Sequence, residues 1–254
     1  MSGVVEQTAD DRAAAPARPR LRVSAVLQGV AIALGLVLMI GGFVLIAVDY
    51  RPYDIPTASM SPTLQVGDTV LARKVDGGSV GRGDVVVFRD QAWGGQLMVK
   101  RVVAVGGDTV ATTREDRRLT VNGQPVDEPY LADQGPKGGD SFSVTVPPGR
   151  LFLLGDNRQG SLDSRTHLEV DGGTVPADGV EARVEATLLP FGRTGLLDRT
   201  AAFDGLAGPK AGSPGPLAPA AYATVGGAAL IIVVCAVSGV AGLARRFRRE
   251  DAAS

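Results

Sequence analysis

Two uncharged apolar runs, one near each end, constrain this chain more than any other feature. Val23 to Val48 is a 26-residue stretch without Asp, Glu, Lys or Arg, rich in Leu, Val, Ile and Ala. About 20 apolar residues cross the hydrocarbon core of a bilayer, so the run is long enough even when tilted. A buried core helix and a cleaved signal peptide compete with that reading, but a signal peptide's apolar region runs to only about 7–15 residues. The run is therefore read as a retained transmembrane helix. Tyr222 to Ala244 is a second such run, of 23 residues, and contains Leu230-Ile231-Ile232-Val233-Val234.

Arg12, Arg18, Arg20 and Arg22 precede the first run, and Arg245, Arg246, Arg248 and Arg249 follow the second. Cytoplasmic flanks of membrane spans collect Lys and Arg. Both termini are thus expected on the cytoplasmic side of a cell membrane, with everything between the spans outside. Six segments follow: an Ala/Pro/Arg-rich disordered tail (1–22), a first span (23–48), an extracytoplasmic domain (49–191), a Gly/Pro/Ala linker (192–221), a second span (222–244) and a basic tail (245–254).

This partition gives the near-zero net charge a meaning. Eight of the 26 basic and five of the 27 acidic residues lie in the tails, which leaves 18 basic and 22 acidic residues between the spans. A mildly acidic exported domain is not a nucleic-acid binder. The single cysteine, Cys235, falls inside the second span, and the single histidine is His167. An intramolecular disulfide, a thiolate zinc cluster and a multi-histidine metal site are all excluded, and no metal or cofactor is expected.

Between the spans the chain reads as strands. Asp68–Val75, Asp84–Phe88, Leu97–Val105, Leu119–Val121, Phe142–Val146, Leu151–Leu154 and Val180–Leu188 are short, β-branched and bounded by Gly, Asp, Asn or Pro. The expected fold is a mainly β domain flanked by two single transmembrane α-helices.

Three stretches of this domain carry chemistry. The first is IPTASMSPTL, residues 55–64, in which Pro56 and Pro62 restrict an extended loop holding Ser59. A plain Ser/Thr/Pro linker after a span is the alternative. The second is MVKRVV, residues 98–103, where strand alternation points Lys100 and Arg101 to opposite faces and one of them toward an apolar layer. Of the two only Lys can lose its proton through burial and serve a serine as general base. Two solvated charges on an edge strand would give the same pattern. The third is GDNRQGSLDSR, residues 155–165, dense in short polar side chains. There Asp156 or Asp163 could pair with Arg158, Arg165 or Arg101, and Ser161 could hydrogen-bond a neutral lysine. An ordinary Asx-type turn is the alternative.

Together and in this order, PTASMSPTL, GDTVLARK, VKRVVAVGGD and GDNRQGSLDSR resemble the boxes of the bacterial type I signal peptidases, over roughly Pro56 to Pro190. These are membrane-bound Ser/Lys proteases with a β-rich catalytic domain that presents an apolar surface to the membrane. The resemblance implies Ser59 as nucleophile, Lys100 as general base, and Thr57 with the Ser59 backbone N–H as oxyanion hole. It implies Ser161 as the residue that orients Lys100, and the pairs Asp163–Arg165 and Asp156–Arg101 as structural support. The implied substrates are secretory preproteins with small residues at the A-x-A positions, cleaved through an acyl-enzyme beside the lipid bilayer. Two positions depart from the family pattern. Gly106 stands where the family usually has Pro before Gly-Asp, and Leu168 where it usually has Gly.

Three other readings remain. A Ser-His-Asp hydrolase would use His167, although His167 is off-motif and read as an exposed surface residue. A self-cleaving repressor-type protease would need a DNA-binding domain, for which residues 1–22 are too short. A two-span scaffold or binding module with an inactive protease-like domain would not need Ser59, Lys100, Thr57 and Ser161 together.

Overall fold

In the computed structural model of the chain, residues 23–112, 118–131 and 141–251 are described. The N-terminal tail read as disordered lies outside them. The chain divides into two compact units. One holds the helix segments up to Met39 and from Val225, and the other comprises Ile40–Thr224.

Helix α1 spans Val23–Asp49 and helix α2 spans Leu217–Asp251. Within them Ala25–Asp49 and Leu217–Leu243 are long and apolar enough to cross a membrane, by length and composition. Large side chains such as Val37 and Phe43 on α1 and Val225 and Val240 on α2 are exposed, as suits a lipid-facing surface. In the first unit the two helices meet backbone to backbone. A Cβ on Gly35 would come within 2.7 Å of Ile231, and one on Gly227 within 2.5 Å of the Gly35 carbonyl. Small residues at such a crossing let van der Waals packing drive association where hydrophobicity does not.

The second unit is β-rich. Its larger sheet runs β1 (Tyr50–Asp54), β2 (Thr69–Lys74), β11 (Val180–Leu189), β3 (Val85–Arg89), β4 (Leu97–Val105), β9 (Arg150–Leu154) and β10 (Thr174–Pro176), with β12 (Gly195–Leu196) paired to β11. The smaller runs β7 (Gln124–Pro125), β6 (Leu119–Val121), β5 (Thr109–Thr112), β8 (Phe142–Thr145). All seven strands expected from the sequence are present. The additional strands are short or irregular; β1, for instance, contains Pro52, which is tolerated because β1 lies at the sheet edge.

Two apolar clusters sandwich the centre of the larger sheet. One joins Val103, Phe152 and Leu154 to Val110, Val121 and Phe142 of the smaller sheet. The other gathers Val86, Phe88, Val102, Leu153 and Val175 on the opposite face. Strand β4 is therefore buried on both faces from Lys100 onward. The two departures from the family pattern sit in this frame. A Cβ on Gly106 would come within 2.9 Å of Pro148 Cα and 3.0 Å of the Pro147 carbonyl, so a larger residue there requires the 147–149 backbone to shift, and Leu168 packs against the first cluster.

The Gly/Pro/Ala linker expected over 192–221 is not a free tether. Phe203 and Leu206 are buried in the first cluster. Arg82 donates to the carbonyls of Ala207 and Pro209, the Gly212 N–H donates to Asp84, and Arg183 donates to the Ser213 carbonyl. Helix α2 starts at Leu217, inside the expected linker, and continues to Asp251 through the expected basic tail. Composition misled because Gly and Pro also serve a segment that must follow a surface closely. Phe203→Ala is expected to destabilise the domain by about 3–5 kcal/mol, read by denaturant unfolding. A flexible linker would show no change.

Candidate active site

The loop between β1 and β2 is fixed at its ends and by its apolar residues. The Ile55 N–H donates to the Asp68 carbonyl and the Gly67 N–H to the Ile55 carbonyl. Met60 and Leu64 are buried with Ile55, Val70, Val85 and Val87. Between them Ala58–Met60 form a single 3-10 turn, which carries Ser59. Its hydroxyl faces β4, where Lys100 pairs in register with Val86.

Ser59 Oγ lies 3.1 Å from Lys100 Nζ, and Nζ lies 3.1 Å from the Val99 carbonyl. Lys100 is only 5% exposed. Burial pushes its pKa down from the ordinary lysine value, while Asp163 and Asp156 push it up less strongly. Desolvation disfavours the ammonium form, so the amine is poised to accept a proton. Thr57 Oγ1 lies 3.2 Å from Ser59 Oγ on the exposed side.

The last box closes around this pair. The Asn157 N–H donates to the Ser59 carbonyl at 3.0 Å and its side-chain amide to the Ala58 carbonyl at 3.2 Å. Gly155 permits the approach, since a Cβ there would come within 2.5 Å of both Ser161 Cβ and the Ser59 carbonyl. The Ser161 hydroxyl is buried there without a hydrogen-bond partner, so it is not bonded to Lys100. Asp163 accepts from Arg165 at 2.9 and 2.8 Å, caps the turn Ser164–His167 and receives the Gly155 N–H.

Arg101 is not solvated on the face opposite Lys100; it too is buried, at 2% exposure. It forks onto Asp156 at 2.8 and 2.6 Å and donates to the Gly83 carbonyl at 2.8 Å. Asp156 also receives Thr63 Oγ1, which ties the loop that carries Ser59 to the last box. The sequence pattern expected one of the two cations to face an apolar layer. Both are buried, and what covers Arg101 is the Tyr130 ring together with Asp156 and Thr63.

Asn157, Thr63, Glu128 and Tyr130 were not singled out from the sequence. Asn157 lay inside a recognised box, but its contacts run through backbone carbonyls that no side-chain pattern reveals. Tyr130 packs its ring 4.2 Å from the Arg101 guanidinium and donates to Glu128 at 2.8 Å, from a stretch without strand alternation. His167 is half-buried, not an exposed surface residue. Its ring stacks on Trp93 at 4.1 Å, and Nδ1 lies 2.9 Å from the Asp163 carbonyl. The side chain at Ser59 Oγ able to act as a base is Lys100.

One edge beside the pair is open. Strand β4 has β3 along one side from Leu97, but β9 joins its other side only from Arg101. Among the described residues no strand covers Leu97–Lys100 on that side.

Comparison with known proteins gives a consistent answer. The sequence profile of the family described as "Signal peptidase, peptidase S26" matches residues 25–189. A relative from Mycobacterium tuberculosis, "Signal peptidase I", is 35% identical, covering 74% of this chain and 81% of its own length. "Signal peptidase I U" of Bacillus subtilis is 33% identical, covering 59% of this chain and 81% of its own. "Signal peptidase I" of Bacillus licheniformis is 33% identical, covering 65% and 88%.

Proposed function

The chain belongs to the signal peptidase family, peptidase S26, and from that premise we propose that it cleaves preproteins with Ser59 as nucleophile and Lys100 as general base. Family membership makes it a signal-peptide-cleaving peptidase, with preproteins as substrates and a bilayer as its setting. The observation that carries the finer reading is the 3.1 Å approach of Ser59 Oγ to a buried lysine amine.

The neutral Lys100 amine takes the Ser59 proton as Oγ attacks the scissile carbonyl. Developing charge on the carbonyl oxygen is met by the Ser59 N–H and by the Thr57 hydroxyl, which turns from Ser59 Oγ to do so. One such donor is worth roughly 2.7–4 kcal/mol. Lys100 then delivers the proton to the leaving amine, and the preprotein's signal segment stays on Ser59 as an ester. Water that gives its proton to Lys100 attacks this acyl-enzyme, releases the signal peptide and restores the serine. Ser161, whose buried hydroxyl sits against Gly155, is the candidate for orienting the amine. The substrate is an extended segment with small residues at the A-x-A positions, added as a strand along the open Leu97–Lys100 edge. The arginine clusters in the sequence support a topology with both termini in the cytoplasm and the catalytic domain outside.

Incubating the full chain in detergent with a preprotein carrying an A-x-A site should yield mature product from wild type and His167→Ala and none from Ser59→Ala. Cleavage by Ser59→Ala, or its loss only in His167→Ala, would sink the assignment. The pH profile should also carry the sign of the lysine shift. Because burial lowers the Lys100 pKa, kcat/KM should rise through an acid limb below the ordinary lysine value of about 10.4. A limb at the ordinary value would mean an exposed base.

A further inference from the structure

Glu128 and Tyr130 belong to none of the boxes that hold the Ser59–Lys100 pair, yet they connect the two arms closing around it. The Tyr130 ring lies 4.2 Å from the Arg101 guanidinium, whose other bonds go to Asp156 and Gly83. The Tyr130 hydroxyl donates to Glu128 at 2.8 Å. Glu128, whose side chain is fully buried, binds Arg158 through both carboxylate oxygens. Arg158 in turn donates from Nε to the Gly155 carbonyl at 3.0 Å, and its own carbonyl receives Arg165 at 2.8 Å. Arg165 holds Asp163. A continuous arch thus runs from the strand that carries Lys100 to the loop that carries Asp156 and Asp163.

We propose that Tyr130 and Glu128 are positioning residues for the Ser59–Lys100 pair, acting through Arg101 on one arm and Arg158 on the other. The inference rests on the Ser/Lys reading above. The carboxylates with the largest electrostatic effect on Lys100 are Asp156 and Asp163, and each carries its own guanidinium, Arg101 and Arg165. How fully each carboxylate is neutralised sets how strongly it favours the lysine ammonium. Tyr130 and Arg101 share the wall of a cavity of about 560 Å³ that also reaches Thr63 and Arg199. Removing the ring opens the face of Arg101 to water in that cavity and loosens its hold on Asp156. The Asp156 charge then bears more fully on Lys100, and deprotonation needs a higher pH. A cation over an aromatic face is held more firmly where water is excluded.

The test compares wild type, Tyr130→Leu, Tyr130→Phe, Glu128→Gln and Lys100→Met as full chains in detergent, on a preprotein with an A-x-A site. Rates are scaled to titrated active enzyme, and unfolding is recorded beside them. Tyr130→Leu should lower kcat about tenfold at a little-changed KM, as expected when catalytic groups drift from register. Its acid limb should move up by about half a pH unit. Tyr130→Phe, which keeps the ring over Arg101, should hold the wild-type limb and stay within about threefold in kcat. A lower melting temperature with kcat and limb unmoved means a purely structural residue and overturns the proposal, as does a Phe chain impaired as far as the Leu chain. Where Tyr130→Leu does not fold, Glu128→Gln decides. Its uncompensated Arg158 charge should move the limb to lower pH, and an unmoved limb overturns the proposal. Wild type that does not cleave, or Lys100→Met that cleaves, overturns the Ser/Lys reading instead.

Discussion

Lys100→Met should abolish preprotein cleavage while raising the melting temperature. On the proposed mechanism, loss of the general base is expected to cost about 10⁴-fold or more in kcat, because the proposed base and nucleophile act as a unit. For the same reason Ser59→Ala/Lys100→Met should be no slower than either single variant. The stability gain has a separate cause. In the unfolded chain Lys100 is an ordinary lysine, charged up to about pH 10.4. Folding buries it, which lowers its pKa, so at neutral pH the folded state must release a proton or hold a desolvated charge. Methionine fills a similar volume without that cost. The folded state binds fewer protons than the unfolded state between the two pKa values, so wild-type stability should climb with pH across that window. The gap between variant and wild type should therefore be widest below the folded pKa and shrink as pH approaches the ordinary lysine value. A gap independent of pH, or a variant less stable than wild type at neutral pH, would contradict a buried amine.

Asp156→Ala is the second large effect, and it acts through the fold. Arg101 and Asp156 are 2% and 1% exposed and bonded at 2.6 Å. Removing the carboxylate strands a buried guanidinium and costs about 3–5 kcal/mol. It also removes the acceptor of the Thr63 hydroxyl, so the loop that carries Ser59 loses a tie to the last box. Arg101→Met/Asp156→Leu should recover much of the lost stability, because an apolar replacement of both partners leaves no buried charge. Cleavage should remain low, since neither new side chain holds the loop. Measured by unfolding midpoint and cleavage rate together, recovery of both would reduce the pair to a space-filling role.

These two sites mark what local sequence could convey. Strand alternation placed Lys100 and Arg101 on opposite faces, and the seven expected strands formed. Alternation carries no information on what covers each face. The cover over Arg101 comes from residues more than 15 positions away, including Thr63 and Tyr130, so two buried cations in succession were not foreseeable locally. The same distance explains the misread linker. Gly and Pro between 192 and 221 signal the absence of helix and strand, whereas Phe203 and Leu206 are the residues that dock the segment. The approach of Ser59 to Lys100 was expected because the two prolines around Ser59 and the following boxes stand in a fixed order. Tyr130 was not, because its partners are a side-chain face and a carboxylate brought together only by the tertiary fold.

The uncovered edge of β4 has a consequence for timing. A substrate ladder along Leu97–Lys100, as proposed, would read peptide N–H and C=O groups, which every sequence possesses, so it would tolerate wide variation in side chains. Those groups are available only while they are uncommitted. A segment already wound into a helix or paired within its own protein offers nothing to the edge, and a proline offers no N–H. On the proposed strand addition, cleavage at such an edge would select for chains caught before they have folded around their cut site, which would make conformational immaturity part of what is recognised.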